Sequence, residues 1–194
     1  MEQTQNKTAL LVMDMQTNIL NSLPMTTASA VIANANKAIA RARENEMLVI
    51  YVVVGFRANA PEVSDNNKGF SAGGYKGTST AESAKQFMEI HPAILRSEND
   101  IVVTKRRVSA FTGSDLEVIL RAQNVRHIVL SGIATGGVVL STLREAADKD
   151  FQITVLTDCC ADRDDEVHRV LTTKIFPRQA EILTAEEWTK KFFN

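Results

Sequence analysis

Asp14 and Lys105 are an acid and a base that follow two apolar runs, ALLVM at 9–13 and IVV at 101–103. If those runs are buried parallel strands, both residues stand at the carboxyl edge of an open sheet, where such folds bind ligands. A carboxylate is costly to bury there unpaired, and a nearby lysine is its natural neutraliser. The pair then reads in two ways, as a structural ion pair or as a proton-transfer group held in place by a cation. A third strand end carries GIATGGVVLST at 132–142, which contains no Cys, His, Asp, Glu or Lys. None of its side chains is a good nucleophile, acid or base, and Gly136 and Gly137 leave room for close ligand approach.

Other reactive side chains are less well placed. Cys159 and Cys160 are adjacent, a spacing that rarely forms a disulfide, so reduced thiols are expected. They follow the run ITVL at 153–156 on the same sheet edge, but a nucleophilic thiol needs a cationic neighbour, and packing is the competing role. Ser109, Thr135 and Ser141 have no histidine base beside them in the sequence. His91, His127 and His168 lie far apart, with no spacing suited to a metal, so neither a metal nor a cofactor is expected.

These residues need a scaffold, and the chain alternates short apolar runs with helical patterns. The runs are ALLVM (9–13), MLVIYVVV (47–54), IVV (101–103), HIVL (127–130), ITVL (153–156) and EIL (181–183). Continuous apolar runs of this length are the signature of parallel strands covered on both faces by crossover helices, an α/β architecture. Val31, Ile32, Ala35, Ala38, Ile39 and Ala42 recur at spacings of three and four, which predicts a helix over 27–45. Ser114 with Glu117, and Thr184 with Glu187, have capping-box spacing and predict helix starts near 115 and 185. Further helices are expected over 137–149 and 163–174. Residues 55–99 lack periodicity and are rich in Gly, Ser, Asn and Ala, which points to a lid or a subunit interface; GFSAGGYKG at 69–77 reads as a mobile element over the site or as an ordered contact with a second subunit.

The 194 residues and 44% hydrophobic content suit one domain spanning 1–194, because halves would bury too little core. A net charge of −1 with Lys and Arg dispersed gives no face for nucleic acid. The first apolar run is broken by Asp14, too early for a signal peptide or membrane span, so a cytoplasmic protein without membrane contact is expected.

Three segments, in order, resemble the isochorismatase-like (cysteine hydrolase) superfamily: LLVMDMQ at 10–16, KRRVSAFTGSDLEVIL at 105–120 and GIATGGVVLST with the helix after it. The resemblance covers nearly the whole chain and implies a three-layer α/β/α fold with a six-stranded parallel sheet of Rossmann-like topology, a small-molecule substrate, and a homo-oligomer, dimer or higher. It also implies a catalytic Asp, Lys and Cys, which map to Asp14, Lys105 and Val138. Valine has no lone pair to attack with, so thiol acyl transfer cannot start from this position. A non-proline cis peptide is implied between Ile133 and Ala134, together with an oxyanion hole from the N–H groups of Ala134 and Val138, shaped by Gly137. Backbone donors need no particular side chain, so the hole can outlast the thiol.

Two family activities bear on the reading. The metal site of nicotinamidases needs two histidines after the second strand, and VVVGFRANAPEV at 52–63 has none. Isochorismatases cleave a vinyl ether without the cysteine, using the Asp as acid or base, which here requires burial to tune Asp14 towards neutral pH. Val54 stands where those enzymes carry a substrate-contacting Gln, and a dicarboxylate substrate needs cations, for which Arg57, Lys68 and Lys76 are the candidates. The expected function is a hydrolase without a cysteine nucleophile, with Asp14 as general acid/base; the alternative is an inactive family member that binds a small molecule or serves as a scaffold.

Overall fold

The computed structural model describes residues 7–73, 76 and 79–193. The elements run β1 (Lys7–Met13), α1 (Thr17–Leu20), α2 (Met25–Glu44), β2 (Leu48–Val54), α3 (Lys68–Ser71), α4 (Ala81–Phe87), β3 (Ile101–Lys105), α5 (Leu116–Ala122) and β4 (Val125–Ile133). They continue with a π-helical turn at Thr135–Val139, α6 (Leu140–Asp148), β5 (Gln152–Ala161), α7 (Asp165–Val170), a second π-helical turn at Leu171–Ile175, β6 (Glu181–Leu183) and α8 (Ala185–Phe193). All six expected strands form, and every pairing is parallel, in the order β3-β2-β1-β4-β5-β6. Strand order reverses between β1 and β4, so the binding crevice of this topology opens at their carboxyl ends.

Alternation along β1 shows why the sheet is sandwiched. Leu10 and Val12 pack with Val31, Ala35, Ala38 and Ile39 of α2 and with Trp188 of α8. Ala9, Leu11 and Met13 point the other way, onto Leu116 and Leu120 of α5 and Leu143 and Ala146 of α6. Both sets are buried, and each fully buried Leu or Ile side chain stabilises the fold by about 1.5–3 kcal/mol. The result is the three-layer α/β/α fold.

Helix starts differ in how they are made. At α8 the capping box forms as its spacing predicts: Thr184 N–H donates to Glu187 Oε2 at 2.7 Å, and Glu187 N–H donates to Thr184 Oγ1 at 3.2 Å. At α5 it does not. Ser114 Oγ donates to Ala110 O at 2.6 Å, and Glu117 turns outward to Lys149 at 2.6 Å and Arg121 at 3.5 Å. Two cations outcompete one backbone N–H for that carboxylate.

The long connection after β2 is more ordered than its composition suggests. It holds α3 and α4, the latter started by a Thr80–Ser83 capping box, and Val54, Phe56, Ala60 and Val63 form a small apolar cluster beside Ile19, Phe70 and Phe87. The glycine-rich stretch 69–77 lies partly outside the described residues. No helix among the described residues is long and apolar enough to cross a membrane.

Candidate functional site

Parallel register brings the site together. Met13 pairs with Gly132, so Asp14 and the loop after β4 leave the sheet side by side at the topological switch point. A Cβ on Gly132 would lie 2.5 Å from the Met13 carbonyl oxygen, so only glycine lets the two strand ends approach this closely. Asp14 itself has φ of 55°, a left-handed conformation that turns the chain out of β1, and its N–H donates to Val52 O at 2.8 Å.

Lys105 arrives from two strands away. It ends β3 opposite Val54 of β2, and its side chain crosses the end of β2 to put Nζ 2.9 Å from Asp14 Oδ2. The side chains of Lys105 and Asp14 are only 2% and 7% exposed, and Nζ also donates to Arg107 O at 3.0 Å. Asp14 Oδ1 is buried with no hydrogen-bond partner among the described residues. Burial raises the Asp14 pKa to about 6, and Lys105 holds it back from rising further. A carboxyl with a pKa near neutrality, one oxygen held by a cation and the other without a partner, can exchange a proton with a ligand.

The loop after β4 begins with a cis peptide between Ile133 and Ala134. Ala134 O then accepts from Gly137 N–H at 3.0 Å and Val139 N–H at 3.4 Å, while Gly136 N–H donates to Asp162 Oδ2 at 2.7 Å. Gly137 has φ −102° and ψ −106°, which breaks the helical turn. Val138 is buried within the apolar cluster that includes Val139, Leu143, Ala110 and Phe111. A side chain with no reactive atom thus fills this place in the loop.

Not every candidate joins this site. Cys159 and Cys160 lie inside β5, which extends past them to Ala161, because β5 carries an irregularity between the residues paired to Leu130 and Gly132. Both thiols are buried, and burial pushes Cys160 up to about 12 and Cys159 well above its ordinary value, the opposite of nucleophilic activation. Arg57 is exposed and ion-paired with Glu62, which also faces Arg106 at 3.9 Å; Lys76 pairs with Asp65 at 2.8 Å. Neither cation stands free for a dicarboxylate, and Lys68 is exposed on α3. His91 Nδ1 accepts from Ala93 N–H at 3.2 Å, and His127 bridges Thr8 and Thr154 hydroxyls at 3.3 and 2.9 Å. Among the described residues no group of three His, Cys, Asp or Glu is arranged to hold a metal ion.

Two residues escape the sequence reading. Gln16 is fully buried, accepts from Val54 N–H at 2.7 Å and donates to Val54 O at 3.1 Å and Phe87 O at 2.6 Å, tying the end of β2 to α4. Its signal was a polar amide two residues past Asp14, in the turn that follows the first apolar run. Thr135 does have a histidine: His168, 33 residues along, places Nδ1 2.8 Å from Thr135 Oγ1. Nothing in the local sequence of either residue announces the other.

The sequence pattern of the isochorismatase domain matches residues 8–187. The isochorismatase family protein YwoC of Bacillus subtilis (strain 168) is 33% identical over 185 residues, covering 95% of this chain and 94% of that one. Ureidoacrylate amidohydrolase RutB of Cronobacter turicensis is 29% identical over 174 residues, covering 78% and 73%. The structure of an isochorismatase family protein from Burkholderia thailandensis superposes with a TM-score of 0.81 at 28% identity, covering 93% of each chain. A match across nearly the whole chain, on a sheet whose switch point carries the buried Asp14–Lys105 pair, establishes that this chain belongs to the isochorismatase family.

Proposed function

We propose that the chain hydrolyses a small molecule without a thiol, with Asp14 as the proton-transfer group. In this reading Lys105 sets the charge state of Asp14, and the N–H groups of Ala134 and Val138 bind the developing negative charge. The observation that carries it is the Asp14 carboxyl itself, buried with Oδ2 on Lys105, Oδ1 unpartnered and a pKa of about 6. Gly136, Gly137 and Val139 already donate to acceptors within the protein, so oxyanion binding falls to the other loop donors. On a vinyl ether, Asp14 as acid protonates a carbon of the double bond, and water adds to the resulting oxocarbenium ion and returns a proton to Asp14. The hemiketal then breaks its C–O bond to release an alcohol and a carbonyl compound. The loop N–H groups meet negative charge on a carboxamide, where water adds to the carbonyl. With Arg57 and Lys76 engaged by carboxylates, a substrate with few anionic groups suits the site better than a dicarboxylate.

The test is turnover of a panel of isochorismate, simpler vinyl ethers and carboxamides across pH. If Asp14 donates a proton, kcat/KM holds below about 6 and falls as pH rises through that value; if it accepts one, kcat/KM rises through the same value. A profile with no limb near 6 removes Asp14 from the reaction.

A second reading, a non-catalytic binding protein, is favoured by Val138, whose side chain is absorbed into the core. Turnover by the wild type that Asp14→Asn removes separates the two, and Val138→Cys asks whether the rest of the site is assembled. If the rest of the site is assembled, this variant is expected to gain amidase activity on the carboxamides, abolished by a thiol alkylating agent; no gain would show that the carboxylate, lysine and loop do not act together.

A further inference from the structure

The geometry points to the Thr135–His168 pair as a positioning clamp that fixes the backbone donors of the loop after β4, an inference that rests on the oxyanion role proposed for that loop. Thr135 is fully buried, and its Oγ1 lies 2.8 Å from His168 Nδ1. The next residue is anchored from the same side: Gly136 N–H donates to Asp162 Oδ2 at 2.7 Å. A Cβ on Gly136 would lie 3.0 Å from Val167 Cγ1 and 3.1 Å from Asp162 Oδ2, so the segment after β5 presses directly on the loop backbone.

Both anchors belong to one small unit. Asp162 directly follows Ala161, which pairs with Ile133, so β5 delivers it beside the start of the loop. Asp164 then caps α7, accepting from Glu166 N–H at 2.9 Å and Val167 N–H at 3.3 Å, and this helix carries His168 to Thr135. Burial lowers the imidazole pKa against the pull of Asp162 and Asp165, which favours the neutral ring, and a neutral ring can serve the threonine hydroxyl in either tautomer.

Position in the loop gives the clamp its consequence. Thr135 and Gly136 sit between Ala134 and Val138, the two proposed oxyanion donors, so the anchors hold the segment that sets their separation. Catalytic donors work only when held close to the position of the developing charge. A displacement near 1 Å costs about 100-fold in rate. His168 and Thr135 touch no substrate in this account; they act through the backbone.

The test is kinetic and uses the full chain. Thr135→Val keeps the shape and removes the hydroxyl; His168→Leu removes the ring nitrogens; Thr135→Ser restores a hydroxyl. On a panel compound turned over by the wild type, each of the first two variants is expected to lower kcat about 10- to 100-fold, with KM within about twofold. The double variant should be no worse than either single, since both remove one interaction, and Thr135→Ser should recover most of the rate. Additive losses, or a change confined to KM, would overturn the clamp. Should Thr135→Val fail to fold, the half-buried His168→Leu carries the comparison.

If the wild type turns over nothing in the panel, the proposed function fails separately, and the clamp is judged on amide hydrogen exchange. Thr135→Val should then speed exchange at residues 134–139 by about tenfold or more while β1 and β4 stay protected. Unchanged exchange at the loop would overturn it.

Discussion

Asp14→Asn is expected to lower turnover of any panel substrate by about 10²- to 10⁴-fold while the protein stays folded. The substitution is nearly isosteric, so the crevice keeps its shape; it removes the capacity to exchange a proton together with the charge opposite the buried Lys105, so some stability is expected to be lost as well. Asparagine tolerates the left-handed backbone at this position, where φ is 55°, better than almost any residue but glycine. The backbone bond from residue 14 to Val52 O is unaffected, and an amide oxygen can still accept from Lys105 Nζ. Loss of activity with unchanged circular dichroism therefore reports chemistry. The limb near pH 6 should vanish from whatever rate remains, because an asparagine amide does not titrate there. Activity retained in Asp14→Asn would leave the ion pair as a structural device and move the proton transfer elsewhere.

How much of this could be read from the sequence follows from the range of the interactions involved. The six strands were legible because both faces of a parallel sheet are buried, which writes each strand as an apolar run; Leu10 and Val12 serve one layer, Leu11 and Met13 the other. Asp14 and Lys105 were legible as polar residues ending such runs. Their contact was not, because it depends on β2 lying between β1 and β3 and on a side chain long enough to cross its end. Strand-end position and opposite charge suggested the pairing, and the family resemblance agreed with it.

Side-chain competition set the other limits. Ser114 and Glu117 have the spacing of a capping box, yet Lys149, 32 residues away, takes the carboxylate. Arg57 was visible as a cation, and its neutralisation depends on how the chain folds back to bring Glu62 beside it. The Thr135–His168 contact joins the start of one loop to the helix after the next strand, so it becomes readable only once β4 and β5 are placed side by side. Local patterns thus gave the scaffold, and the partners of individual polar side chains came from its topology.

Lys105→Met is expected to cost about 1–3 kcal/mol of stability between about pH 7 and 8, and far less in mild acid, because it forces a buried carboxyl to stay protonated at about 1.4 kcal/mol for each pH unit above the wild-type value of about 6. Methionine matches the lysine stem in length, so packing across the end of β2 is kept and the loss is electrostatic. The sign follows from the direction of the Asp14 shift. Its folded pKa of about 6 lies above the ordinary 3.8, so the folded state holds this proton more tightly than the unfolded chain does. The stabilisation from that proton is full at acid pH and is lost as pH rises through the folded value. Lys105 is the main group that holds the pKa down, ahead of the Val54 backbone, and without it the carboxyl shifts higher and the cost of ionising it deepens. Melting curves of the variant and the wild type should therefore nearly coincide at about pH 5 and separate progressively towards about pH 8. The protonated form should persist to higher pH in the variant, so if Asp14 is the acid, the falling limb of residual activity moves upward from about 6. A stability deficit equal at both pH values would mean that Lys105 supports the fold by packing and does not govern the Asp14 proton.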